Sequence, residues 1–357
     1  MNGPTRVSDP FGIAADPRMP FAAGLLDAAE VGRQFERHLP WLSREGGGIQ
    51  LRAIRVARYK PGRRCLLEFD VEPGGPCAPQ GTITLVGKAR AKGLDAAGYA
   101  LQQALWRAGF DAGSGDGVSV PEPIGVVPAF QMWLQRKAPG VDATRLLPEA
   151  GGAALAKRIA EAIHKVHLAG IAPRRRHTMA DELRILHHRL PLVAGMHPHW
   201  APRLERIQAA CDRLGAGVAA PRPPVARRGI HRDFYADHVL VDGRRLYLLD
   251  FDLYCEGDPG LDAGNFLGHV TEQSLRTLGD PSALADREEA LAERFVDLAG
   301  AATRAAVRAY ATLTLVRHIF LSTQFPHRQP FTAALLELCE QRLGLAGRNG
   351  AVGGVLA

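Results

Sequence analysis

The spacing of apolar residues changes character along this chain. Leu25, Leu26, Val31, Phe35 and Leu39 recur at helical intervals and predict an amphipathic helix. From Ile49 the period falls to two. Ile54 and Val56 lie on one β-run and Leu66, Phe69 and Val71 on another, joined by Tyr59-Lys60-Pro61-Gly62-Arg63-Arg64. Residues 72–81 (EPGGPCAPQG) read as a loop, and residues 82–88 (TITLVGK) as a third strand ending in a lysine. A helix over about 95–107 follows. Residues 120–123 open another strand pair, 130–135 complete the sheet, and 136–140 read as a linker. Residues 1–20, rich in Pro, Gly and Asp, are expected to be poorly ordered.

Beyond residue 140 the helical period dominates. Leu155, Ile159, Ile163, Val166 and His167 mark an amphipathic helix to about residue 169, on which His164 and His167 read as packing or surface histidines. Residues 221–224 form a proline-rich linker. Helices are expected at about 263–275, 287–302, 304–323 and 331–343, and the tail GRNGAVGGVLA looks frayed.

One stretch breaks this pattern: GIHRDFYADHVLVDGRRLYLLDFDLYCEGDPGLDAGN, residues 229–265. Val239-Leu240-Val241 turns at Asp242-Gly243 and returns as Leu246-Tyr247-Leu248-Leu249, the turn chemistry of a β-hairpin. His231-Arg232-Asp233, with His238, precedes it. Asp250-Phe251-Asp252 ends the returning strand, and Gly257-Asp258-Pro259 with Asp262 follows. A short hairpin brings its ends together, so Asp233 and Asp250 are expected to be neighbours. Phosphoryl transfer from a nucleotide needs such a pair, one carboxylate for the acceptor's proton and one for the magnesium on the phosphates.

These residues resemble the aminoglycoside phosphotransferase and choline kinase-like family, relatives of the protein kinases. The family's pattern is His-x-Asp, four residues, Asn, a β-hairpin, Ile-Asp-Phe or Asp-Trp, then Gly-Asp-Pro-x-x-Asp. The match is close over about 35 residues, and one position departs from it: His238 stands where the family usually has Asn. The resemblance implies an α+β, two-lobed protein-kinase-like fold. Residues 1–138 would form an N-lobe with an antiparallel sheet and a helix. Residues 139–357 would form a mostly helical C-lobe with the catalytic hairpin.

The same resemblance assigns roles. Asp233 would take the acceptor's proton, and Asp250 would hold Mg²⁺, with Asp252 and His238 beside it. Imidazole nitrogen suits Mg²⁺ poorly, which brings Mn²⁺ into view. His231, Asp258 and Asp262 would brace the loop backbone. The hairpin at Gly62, Arg63 and Arg64 would cover the phosphates of ATP or GTP, glycine allowing close approach and the arginines supplying charge. Lys88 would clamp the phosphates, with Arg90 and Lys92 as rivals. The helix over 95–107 lacks the glutamate expected to pair with this lysine, offering only Asp95, Gln102 and Gln103. Gln135 and Lys137 would lie at the nucleotide-binding hinge. A protein kinase is disfavoured, because Gly-x-Gly-x-x-Gly, Asp-Phe-Gly and Ala-Pro-Glu are all missing.

Composition adds limits. With 46% hydrophobic and 23% charged residues, the chain reads as a soluble globular protein. Its net charge of +7 is dispersed apart from Arg174-Arg175-Arg176, which favours a nucleotide-binding enzyme over a nucleic-acid partner. The five cysteines, Cys65, Cys77, Cys211, Cys255 and Cys339, are widely spaced without any CxxC, so neither a disulfide framework nor a zinc site follows. No window reaches membrane-span length, and a cytoplasmic protein is expected. The expected activity is phosphoryl transfer from a nucleoside triphosphate to a hydroxyl of a small molecule: an aminoglycoside, amino alcohol, sugar or natural-product intermediate. The alternative is a catalytically silent nucleotide-binding scaffold.

Overall fold

In the computed structural model the described residues are 4–42, 49–73, 81–219 and 228–345. Most of the 72–81 loop, the 221–224 linker and the tail lie outside them. The chain divides into two compact units, Met1–Gly140 with Asp242–Leu249, and Val141–Val241 with Asp250–Ala357.

The first unit is built on a six-stranded sheet. The sheet's strands in chain order are β1 (Arg6–Ser8), β2 (Gln50–Lys60), β3 (Arg64–Glu72), β4 (Ile83–Arg90), β6 (Pro123–Val127) and β7 (Met132–Arg136), while β5 (Val118–Ser119) lies in a separate sheet. The sheet order is β1-β2-β3-β4-β7-β6, antiparallel except where β1 joins β2 in parallel. Along β3 and β4 every second residue is buried, so Leu67, Phe69, Val71, Ile83 and Leu85 enter the core. Against them pack α1 (Ala22–Leu26) and α2 (Ala28–His38). Asp27 separates these helices and caps α2 by accepting from Ala29 N and Glu30 N at 2.9 and 3.2 Å. Phe35 meets Phe69 edge to face at 5.1 Å.

Order begins earlier than composition suggests. Asp16 is buried, and its carboxylate accepts from Gly62 N at 2.7 Å and Tyr59 Oη at 2.8 Å. The N-terminal segment is therefore bolted to the β2–β3 turn. The Gly62 amide and then the Tyr59 hydroxyl hold the Asp16 carboxyl below the usual range. Helix α3 (Ala96–Leu105) is capped by Asp95 through Gly98 N at 3.0 Å.

The second unit is helical: α4 (Ala143–Leu146), α5 (Gly152–Leu168), α6 (Met179–Met196), α7 (Ala201–Ala219), α8 (Gly260–Leu278), α9 (Ala285–Ala299), α10 (Arg304–Thr323) and α11 (Thr332–Arg342). Helices α6 and α7 fill a stretch for which the apolar spacing predicts no element. Short strands punctuate the unit: β8 (Val141–Asp142), β9 (Arg228–Ile230), β10 (Val239–Asp242) and, after β11 (Arg245–Leu248), β12 (Cys255–Gly257). The turn before β11 passes through Gly243 at φ 55°. β11 itself counts with the first unit, where it pairs in parallel with β5.

A glycine stripe lets α8 and α10 pack closely. A Cβ on Gly264 would lie 2.6 Å from Val307 O, and one on Gly268 2.7 Å from Thr314 Cβ. The backbones of α8 and α10 thus approach more closely than any side chain would permit. Among the described residues no helix is long and apolar enough to cross a membrane.

Candidate active site

Two short strands assemble the centre of the second unit. β9 ends just before His231, and β12 begins just after Tyr254; they pair antiparallel, Ile230 opposite Cys255 and Gly229 opposite Glu256. The His231-Arg232-Asp233 loop and the Asp250-Phe251-Asp252 segment are therefore fastened at their outer ends. Phe251 is buried with its ring 4.6 Å from that of His231, which leaves Asp250 and Asp252 on either side of an inward-pointing anchor.

Both segments carry unusual backbone. Arg232 has φ 70° and Asp250 φ 59°, left-handed values that non-glycine residues adopt at a cost of about 1–3 kcal/mol. Asp262 stabilises the first. Its fully buried carboxylate accepts from His231 N at 2.8 Å, from Arg232 N at 2.6 Å, and from the ring of His167 on α5, whose Nε2 lies 2.8 Å away. Asp258 turns to local work, accepting from Gly260 N at 2.8 Å. The expectation that these two aspartates brace backbone agrees with this geometry.

A second support was not anticipated from sequence. Asn265 Nδ2 donates to Phe234 O, the carbonyl next to Asp233, at 2.9 Å. Its Oδ1 accepts from Arg317 and, at 3.2 Å, from Thr314 on α10. Arg317 also donates to Glu182 Oε2 at 3.3 Å, and Glu182 Oε1 lies 2.6 Å from His177 Nε2. Burial opposes charge on Glu182, yet the His177 hydrogen bond and the Arg317 cation hold its carboxyl below the ordinary range. The relay reaches from α6 to the loop. Asn265 and Asp262 closed the diagnostic stretch, but Arg317 had no local signal.

The position of His238 is specific. Its Nδ1 lies 2.8 Å from the backbone oxygen of Asp233. A carbonyl only accepts, so Nδ1 carries hydrogen, and Nε2 is the ring atom that can offer a lone pair to a ligand. That Nε2 is 3.9 Å from Asp250 Oδ2. Tyr235 lies beside the ring, 4.2 Å between centroids, and stacks on His269 at 4.5 Å and 16°. Burial, then neighbouring charge, holds His269 and His318 well below the usual histidine value, so both are neutral. Asp252 sits half-buried on the single turn Phe251–Leu253. Among the described residues no three His, Cys, Asp or Glu side chains are gathered as a metal site.

The nucleotide candidates lie in the first unit. Lys88 is half-buried within β4, opposite Trp133 of β7 and Leu66 of β3; the strand runs on to Arg90 rather than ending at the lysine. The rival Arg90 forms an ion pair with Asp95 at 2.9 Å. Gln102 is bound to Pro121 O at 2.6 Å and Gln103 to Tyr99 Oη at 3.1 Å. The Gly62 amide, expected to face phosphates, is taken by Asp16. Arg63 is exposed at the turn, and Arg64 begins β3. Gln135 lies in the β7 ladder opposite Val86. Lys137 pairs with Glu68 at 2.6 Å, and its amide donates to Thr84 O at 2.8 Å.

Comparison with known proteins agrees with this framework. A profile of the phosphotransferase enzyme family matches residues 96–332. No protein of curated function matches the chain. Among solved structures, a choline/ethanolamine kinase family protein from Mesorhizobium loti is 16% identical over 73% of this chain and 84% of its own, with a TM-score of 0.53. A spectinomycin phosphotransferase bound to ADP and spectinomycin is 11% identical over 90% and 97%, TM-score 0.53. An amicoumacin kinase bound to AMP-PNP and Ca²⁺ is 13% identical over 90% and 95%, TM-score 0.57. At these identities the likeness is one of fold, the two-lobed α+β kinase-like fold.

Proposed function

Because this chain belongs to the phosphotransferase enzyme family, we propose that it moves the γ-phosphoryl group of ATP or GTP to a hydroxyl of a small molecule. The observation that carries this reading is the pinning of the Asp233 loop to the Asp250 segment by β9 and β12, with the His238 ring between them. Structural neighbours holding adenine nucleotides and small acceptors support the same class.

Asp233 would orient the acceptor hydroxyl and take its proton as the oxygen bonds to phosphorus. Its loop is held by Asp262 and Asn265, so the carboxylate starts from a fixed backbone. A divalent cation fits the donor set of Asp250 oxygen and His238 Nε2 facing it, with Asp252 two residues away. Mg²⁺ sites of this kind draw further ligands from water and phosphate, so a protein-only cluster is not required. When bound, Mg²⁺ or Mn²⁺ supplies charge neutralisation on the phosphates. Lys88 would hold the phosphates as a point charge, with Arg63 and Arg64 of the covering turn adding positive potential. Gly62 would serve by shaping that turn at φ 63°. Gln135 and Lys137 would border the base-binding hinge.

The acceptor reading covers aminoglycosides, amino alcohols, sugars and natural-product intermediates. Nucleotide consumption by the purified protein against such a panel tests it, with turnover on at least one hydroxyl compound expected. The silent-scaffold reading draws on the imidazole at position 238 and on the missing glutamate in the helix over 95–107. Saturable nucleotide binding without turnover on any acceptor, or slow hydrolysis, would favour it.

A further inference from the structure

A groove of about 900 Å³ opens in the second unit, between α7, the start of α10 and the end of α11. It is large enough for a ligand of drug size. Its floor is alanine-rich, contributed mainly by the residues around the α10 N-terminus, with Leu214 and Leu343. Four arginines line it, Arg213, Arg304, Arg308 and Arg342, and among the described lining residues none is acidic.

Of the carboxylates nearby, Asp297 acts on Arg304 at electrostatic range and several others are paired. Glu293 pairs with Arg304, its Oε2 2.8 Å from Nη2. Glu340 pairs with Arg203 at 2.6 Å, and Asp212 with His187 at 2.8 Å. Arg342 donates to Thr271 Oγ1 at 3.0 Å and stands 3.8 Å from Glu288. Burial pushes the Glu288 carboxyl up to about 7, so near neutrality it is a weak counter-ion. Arg308 feels Glu293 only at electrostatic range, and neither it nor Arg213 forms an ion pair among the described residues. Both are exposed. Two uncommitted guanidiniums over an apolar floor form a surface with one chemical complement.

We propose that this groove binds a small amphipathic anion, an aliphatic body with a carboxylate or phosphate head. The head would dock on Arg213 and Arg308, whose planar forks match either oxyanion, and the body on the alanine and leucine floor. The cation field would also draw such anions in. This inference is independent of the phosphotransferase reading.

Isothermal titration with decanoate, decyl phosphate, decylamine and inorganic pyrophosphate, each below any micelle threshold, tests it. Saturable binding of decanoate or decyl phosphate is expected, the tighter of the two identifying the head. Pyrophosphate and decylamine should bind at least tenfold more weakly. In Arg213→Gln/Arg308→Gln the anion affinity should fall at least tenfold, with the thermal midpoint and nucleotide binding unchanged. Equal binding of decylamine and the two alkyl anions would overturn the proposal without any variant. So would an unchanged affinity in the double substitution.

Discussion

Nε2 of His238 faces Oδ2 of Asp250 across 3.9 Å, while Nδ1 of the same ring is tied to the Asp233 carbonyl. The ring is thus fixed with Nε2 on the carboxylate side. Nitrogen is a poor ligand for Mg²⁺ and a better one for Mn²⁺. Turnover is expected to be higher with Mn²⁺ than with Mg²⁺, and His238→Asn to narrow or reverse that preference. An unchanged metal preference in the variant would make His238 a packing residue.

The relay behind the loop predicts a split in kinetic effects. Asn265→Leu keeps the branching of the side chain but strands the Phe234 carbonyl and takes one of two acceptors from the Arg317 guanidinium, which keeps Glu182. Stability should fall by about 1–3 kcal/mol, the cost of unsatisfied buried polar groups. Turnover should fall on the order of 100-fold, since a small displacement of a catalytic group has that effect. The affinity for nucleotide should stay within a few-fold. Titration calorimetry beside steady-state kinetics separates these; a variant that loses stability but keeps turnover would confine Asn265 to packing.

The α8–α10 contact predicts a contrast between two glycines. Gly264→Ala places a methyl against Val307 O and should cost about 1–3 kcal/mol in chemical denaturation, the range of overpacking. Gly195→Ala, on α6 with nothing within 4 Å of the new Cβ, should stabilise by about 0.4–1 kcal/mol. Equal effects would mean that α8 and α10 can part without loss.

Much of this arrangement is readable in the sequence because its signals are local. The Asp242-Gly243 turn, the alternation along β3 and β4, and the Gly-Asp-Pro-x-x-Asp run each act within a few residues. Helices α6 and α7 are not readable in that way. α6 carries Pro191 within it, and Leu192 and Met196 are exposed at 46% each, which blurs the apolar stripe. The partners of the catalytic loop escape for another reason. His167 sits in a legible stripe of α5, yet what it bonds is Asp262, 95 residues on. Arg317 reaches Asn265 only because glycines let α10 approach. The disorder expected for residues 1–20 fails on one side chain, Asp16, which binds the turn at Gly62.

Glu288 gives the stability a pH dependence. Burial raises its carboxyl from 4.5 to about 7 despite the Thr271 hydroxyl bonded to it at 2.7 Å. The folded state therefore keeps a proton that the unfolded chain loses first. Its contribution is complete below pH 4.5 and is lost as pH rises through about 7. The loss is of order 3 kcal/mol at about 1.4 kcal/mol per pH unit. Glu288→Gln should remove that slope in denaturation curves between pH 4.5 and 8. A slope that persists in the variant would place the titration elsewhere.

The most direct measurement pairs turnover with nucleotide binding in Asp233→Asn, using an acceptor that the parent phosphorylates. The substitution keeps the shape of the side chain and removes its ability to take a proton. Turnover is expected to fall by at least about 100-fold, the scale of losing a general base, while Mg²⁺-dependent nucleotide affinity stays near that of the parent. Near-full turnover in Asp233→Asn would contradict the account.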